Sequence, residues 1–210
     1  MSNKMNQNLP TIIIGAGGHA RMLADTLTAS GANILGFTDL EIKAGTKIFE
    51  DYIVLGSDNI LDDFSIDEID VAIGVGFLPQ KNWRKAIFEK IRNKGFKIRT
   101  VIHPSVIIGS NILLGEGVQL IAGTIIQTGC KIGKNVIINT GAKIDHDVTI
   151  GDFSHIAPGA TICGDVKIGE NCFIGAGSTI IQGINIGHNV TIGAGVLVRA
   201  DIASHEIYIG

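Results

Sequence analysis

Aromatic residues are scarce in this sequence, at 5% of 210 residues, and charged residues make up only 18%. Few aromatics leave a core that aliphatic side chains must fill. Few charges beside 45% hydrophobic residues exclude a disordered chain. The net charge of -3 supplies no basic surface, so neither nucleic acid nor an anionic membrane is expected as a partner. No apolar run approaches the roughly 18 residues that a membrane-spanning helix needs. The opening MSNKMNQNLP lacks the charged-then-apolar order of a signal peptide, and a cytoplasmic location is expected. Cys130, Cys163 and Cys172 have no metal-type spacing and read as buried or turn thiols in a reducing compartment. The six histidines are too scattered to hold a metal, so none is expected.

What is abundant is glycine, 28 residues without a collagen triplet, which points to many tight turns. Two halves differ in period, with a boundary expected between 1–100 and 101–210. The first half reads as a small α/β unit. Ile12, Ile13 and Ile14 suit a buried parallel strand, and GAGGHAR opens a helix whose apolar face carries Met22, Leu23 and Leu27. NILGFTD is a second strand ending at Asp39, and IDVAIGVG a third reaching Gly74 to Gly76. NWRKAIFEKIRNKGF is a helix stopped by Gly95. That order implies a small parallel sheet with right-handed crossovers.

The second half repeats every six residues. Steps of six from Val106 to Ile202 meet only small or aliphatic residues, and steps of six from Ile108 to Val198 meet only Ile, Leu or Val. Gly115, Gly133, Gly151, Gly169 and Gly187 recur every 18 residues. Residues two apart on a strand face the same side, so each unit points one small and one branched side chain inward. A turn follows each unit, where glycine tolerates unusual backbone angles. Three units make a triangular coil, and coils stack about 4.8 Å apart.

Against this frame a few residues stand out. His146 sits in a turn between Asp145 and Asp147 and cannot point inward without breaking the apolar column. Two readings fit: a general base supported by a carboxylate, or a solvated turn histidine between solubilising aspartates. His155, between inward Ser154 and Ile156, faces outward on a flat face, as a groove residue or as an exposed strand histidine. The loop Gly15 to Arg21 lets the backbone approach a phosphate at a helix N-terminus, or is simply a turn and cap. Asp39 could accept hydrogen bonds from a ribose or base.

The strings IIIGAGGHA, GFTD, VAIGVG, VIHPSVIIG, INTGAKIDHD, FSHIAPGA and CFIGAGSTII cover nearly the whole chain. Together they resemble the sugar O- and N-acetyltransferases of the sialic acid acetyltransferase type, including those that act on UDP-4-amino sugars and GDP-perosamine. The resemblance implies a Rossmann-like nucleotide-sugar-binding domain followed by a left-handed parallel β-helix. It implies acetyl-CoA as co-substrate and a homotrimer with acetyl-CoA between neighbouring prisms. His146 would be the general base, with Asp147 raising its basicity. His155 would touch the acetyl-CoA end, and Ala176 and Ala194 would line the CoA groove. Gly17, Gly18 and His19 would hold the nucleotide-sugar, with Asp39 and Gly74 at neighbouring strand ends. The implied reaction is direct N-acetylation of a nucleotide-linked amino sugar for bacterial surface glycans. Alternatives are O-acetylation of a sialic acid or related sugar, and a non-catalytic nucleotide-sugar-binding partner. A γ-class carbonic anhydrase would need a zinc histidine spacing that is missing.

Overall fold

The computed structural model describes residues 9–77, 79 and 81–210. The chain forms two compact units: residues up to 76 with 82–101, and 77–81 with 102–210.

The first unit contains β1 (Thr11–Ile14), α1 (Gly18–Ala29), β2 (Ile34–Thr38), β3 (Lys47–Phe49), β4 (Tyr52–Gly56), β5 (Asp70–Ile73) and α2 (Trp83–Asn93). The sheet order is β3-β4-β2-β1-β5, and all pairings are parallel except β3 with β4. β1 lies between two strands with every residue buried, which explains its unbroken apolar run. Leu23, Ala24 and Leu27 on α1 are buried in the same core. The β3–β4 hairpin extends the sheet beyond the three strands that the sequence announces, and β5 stops at Ile73 rather than running on to Gly76.

A buried polar cluster ties the strand starts together. Thr11 Oγ1 donates to Asp70 Oδ1 at 2.7 Å, and Arg99 Nη1 reaches Asp70 Oδ2 at 3.2 Å. Burial pushes the Asp70 carboxyl pKa up, against the opposing pull of Thr11 and Arg99.

The second unit is a column of two-residue strands on three faces. The first face has six strands, Ile107–Ile108 to Leu197–Val198. The second has five, Leu113–Leu114 to Asn185–Ile186. The third has seven, Val101–Ile102 to Ile207–Tyr208. Each strand pairs in parallel with the strand one coil away, as Ile107 does with Ile125 and Lys131 with Thr149. The two inward rows build the core from Val118 to Ile202, and each inward Ile or Leu contributes roughly 1.5–3 kcal/mol of apolar burial. The hydroxyls of Ser154 and Ser178, both in the small-residue row, donate to the carbonyls of Gly169 at 2.9 Å and Gly175 at 2.8 Å.

The glycines spaced by 18 have a different cause from the one their turn position suggests. Gly115, Gly133, Gly151, Gly169 and Gly187 do not adopt left-handed backbone angles. Their reason is space: a Cβ on Gly151 would lie 2.6 Å from Glu170 N and from the Gly169 carbonyl carbon on the next coil. The left-handed residues on that corner come two positions later, at Gly117, Asn135, Phe153, Asn171 and Asn189.

Candidate active site

His146 and Asp147 lie on the corner between the first and second faces, after strand Lys143–Ile144 and before Thr149–Ile150. The coil ladder holds this corner from both sides. Asp147 N–H donates to Thr128 O at 3.0 Å, and Asp165 N–H donates to His146 O at 3.0 Å. Asp145 accepts the His146 N–H at 2.8 Å. Asp147 is left-handed, with φ 60°, and its Oδ2 stands 2.9 Å from His146 Nδ1. A carboxylate only accepts, so Nδ1 carries a proton, and in the neutral ring Nε2 presents its lone pair. The imidazole is 55% exposed. Its pKa is held above the ordinary value, first by the Asp147 hydrogen bond and then by the charge of Asp145. The arrangement is that of a proton acceptor with a fixed tautomer.

The other expected site residues of the column stand elsewhere. His155 occupies an outward position of the third face, yet it is only 8% exposed. The residue is enclosed rather than exposed: Phe77 and Phe173 meet its ring edge-on at 5.8 and 5.3 Å, and Asn139 Nδ2 lies 3.3 Å from its Nε2. Phe77 itself stacks on Phe173 at 5.7 Å. Ala176 and Ala194 are exposed and follow each other on the corner between the third and first faces, where Gly195 N–H donates to Ala176 O at 2.8 Å. Within one chain, His146 and the alanines thus stand on two different corners of the prism.

In the first unit, Gly17 caps α1, and Gly18 and His19 are its first residues. The space beside Gly17 and Gly18 is open, so packing alone does not demand glycine there. Asp39 sits at the end of β2, and both of its oxygens are engaged. Oδ2 accepts from Ala16 N–H at 3.1 Å; Oδ1 accepts from Glu41 N–H at 2.9 Å and Ile42 N–H at 3.0 Å. Desolvation pushes its pKa up, but the backbone donors Glu41, Ile42, Ala16 and Leu40 outweigh this and hold it below the ordinary value. Asp39 therefore shapes the loop that precedes α1. Gly74 has a packing reason: a Cβ there would lie 2.7 Å from both Ala20 Cβ and Ile13 Cγ2.

Several contributors escaped the sequence reading. Gly164, which stepping 18 residues on from His146 would have found, lies against the imidazole. Phe77 and Asn139 carried no signal. Arg84 on α2 is 4% exposed and donates to the carbonyls of Ile73 and Val75, fixing the loop after β5. Burial lowers its pKa to about 9. Among the described residues no group of three or more His, Cys, Asp or Glu could hold a metal, and no described helix is long and apolar enough to cross a membrane.

A column of stacked hexapeptide units with an imidazole and a carboxylate on one corner defines the hexapeptide-repeat acyltransferase class. The family models agree. Residues 129–164 match the bacterial transferase hexapeptide (six repeats), 165–200 the hexapeptide repeat of succinyl-transferase, and 11–91 the PglD N-terminal domain. The acetyltransferase domain of PglB from Neisseria gonorrhoeae is 32% identical over 93% of both chains, with a TM-score of 0.85. It is also known in complex with acetyl coenzyme A. A mutant of perosamine N-acetyltransferase from Caulobacter crescentus, in complex with CoA and GDP-perosamine, is 31% identical over 93% of this chain and 91% of that one, with a TM-score of 0.84. WeeI from Acinetobacter baumannii shares the fold at 24% identity and a TM-score of 0.85, covering 96% of this chain and 97% of that one. The chain belongs to the nucleotide-sugar acetyltransferases of the hexapeptide family, and its column is a left-handed β-helix.

Proposed function

We propose that this protein transfers the acetyl group of acetyl-CoA to the amine of a nucleotide-linked amino sugar, with His146 as general base. The observation that carries this reading is the 2.9 Å contact from His146 Nδ1 to Asp147 on an exposed corner, which in the neutral ring holds the proton on Nδ1 and leaves Nε2 as the acceptor. Relatives 31–32% identical to this chain have been determined with acetyl coenzyme A, or with CoA and GDP-perosamine.

The amine attacks the thioester carbonyl, and a C–N bond forms. His146 Nε2 takes the amine proton. The C–S bond then breaks and CoA leaves as thiolate, which recovers a proton from the imidazolium or solvent. A positioned base of this kind is worth about 10²–10⁴ in rate. Gly164 lies against the ring, and its N–H is the donor this reading assigns to the oxyanion. Gly17, Gly18 and His19 hold the nucleotide diphosphate, and Asp39 and Gly74 shape the neighbouring strand ends.

A second copy of the chain completes the site. His146 stands on one corner, whereas Ala176 and Ala194, which line the CoA groove, stand on another. A homotrimer with acetyl-CoA between neighbours brings a His146 corner against an alanine corner. The outward residues Ile107 and Leu197 of the first face are 61% and 47% exposed, which suits a covered face. His155 then serves the acetyl-CoA end from within its aromatic enclosure. The reaction is expected in the cytoplasm, where acetyl-CoA and nucleotide sugars are both found.

The test is thiol release by purified protein with acetyl-CoA and a panel of UDP-amino, GDP-amino and CMP-linked sugars, for the wild type and His146→Ala. Turnover confined to amino sugars and lost by ~10²-fold or more in the variant is expected. Undiminished acetylation by the variant ends the assignment of the base. Preference for a hydroxyl acceptor ends the assignment of the substrate.

A further inference from the structure

The corner that carries His146 recurs in four other coils, up to Gly183; after Val198 the last coil is shorter, and Ile202 pairs with Ile186 only 16 residues away. At the level of His146 the other coils place Ser110, Thr128, Gly164 and Gln182. At the level of Asp147 they place Asn111, Gly129, Asp165 and Gly183. The second level is left-handed in all five: φ is 57° at Asn111, 80° at Gly129, 60° at Asp147, 56° at Asp165 and 73° at Gly183. Asn and Asp adopt this conformation at tolerable cost, so backbone angle alone does not demand glycine at 129. At the first level the backbone is not left-handed, and Ser, Thr, His and Gln all occupy it. Backbone angle does not demand glycine at 164 at all.

Both glycines are explained by the two side chains between them. A Cβ on Gly164 would lie 2.5 Å from Nε2 and 2.6 Å from Cε1 of His146. A Cβ on Gly129, one coil before, would collide with the Asp147 carboxylate. The coil before is cut back beneath the carboxylate and the coil after beneath the imidazole. We infer that Gly129 and Gly164 are positioning residues, which together form a slot that holds the imidazole in the rotamer joining Nδ1 to Asp147.

This inference rests on His146 being the base, but its physical content is separate. The atoms that a Cβ at 164 would displace belong to the end of a flexible side chain, not to the backbone. Gly164→Ala therefore leaves the coil intact and swings the imidazole away. The swing breaks the 2.9 Å contact to Asp147 and leaves the ring among Asp145, Asp147 and Asp165 without a fixed tautomer. Gly129→Ala acts on the carboxylate from the opposite side, with added left-handed strain at φ 80°.

The test uses the full chain with three readouts: the NMR titration of the His146 ring, the melting temperature, and kcat with nucleotide-sugar and acetyl-CoA. In Gly164→Ala we expect the His146 pKa to fall toward that of a free histidine, the melting temperature to be unchanged, and kcat to drop by ~10–100-fold, the scale of an ångström-sized misplacement. Gly129→Ala is expected to lower the same pKa. A His146 titration that is identical in wild type and both variants overturns the inference. If His146→Ala keeps full turnover, the base assignment fails instead, while the ring titration still decides whether the slot exists.

Discussion

Asp147 turns its side chain back onto the residue before it: its left-handed backbone, φ 60°, brings Oδ2 to 2.9 Å from His146 Nδ1. The bond favours the imidazolium and so raises the His146 pKa. A base works only when unprotonated, so turnover should rise with pH through that raised value. Asp147→Asn removes the charge and weakens the bond, and with them the first cause of the shift. The rising limb of the kcat–pH profile should therefore move to lower pH, with a plateau lower by ~10-fold or more for a weaker and less oriented base. A limb at the wild-type position in this variant would mean that Asp147 does not set the basicity of His146.

The corner glycines give a contrasting pair. At Gly151 the obstacle to a Cβ is the backbone of the next coil, 2.6 Å away; at Gly164 it is a side-chain ring. Gly151→Ala should cost about 1–3 kcal/mol, as overpacking does, and Gly164→Ala little or nothing. Urea unfolding of the two variants measures the difference. Equal stabilities would show that the coils adjust as freely at the Gly151 corner as at the Gly164 corner.

Asp70 and Arg99 are 3% and 12% exposed, and their pair sits among buried strand starts. Arg99→Met leaves a buried carboxylate with Thr11 as its remaining named partner. That should cost about 3 kcal/mol or more. Adding Asp70→Asn removes the stranded charge and should restore part of the loss. Thermal denaturation of the single and double variants checks the sign.

Asp39 accepts three backbone N–H groups, including that of Ala16, just before the expected nucleotide loop. Asp39→Ala should lower stability by about 1 kcal/mol, discounted for its partial exposure. It should also raise the KM for nucleotide-sugar several-fold and leave kcat largely intact. The carboxyl pKa is depressed, so its stabilising contribution is complete above the ordinary 3.8 and is lost as pH falls through the lower folded value. A variant with unchanged KM would separate the loop from substrate binding.

The solenoid was legible because its cause is periodic. Inward Ile, Leu and Val recur at a fixed spacing, and nothing but a stacked coil puts them all inside. The His146–Asp147 pair was legible because adjacent residues need no fold to bring them together. What escaped depends on distance along the chain. The enclosure of His155 depends on Phe77, and no local pattern joins those two positions. The strand signal of β2 placed Asp39 correctly at its end but gave no sign that backbone donors occupy both of its oxygens. The coil glycines were visible, but the sequence suggested backbone angle as their cause, where the structure shows the thickness of the stack.

The ladder bonds from Asp147 to Thr128 and from Asp165 to His146, each 3.0 Å, clamp this corner between two neighbours in an unbroken stack. Such a corner has no hinge. If His146 is the base, it stays where the stack holds it, and the sugar amine and the thioester must both be delivered to it. Under that proposal, movement in the cycle falls to the substrates and not to this corner.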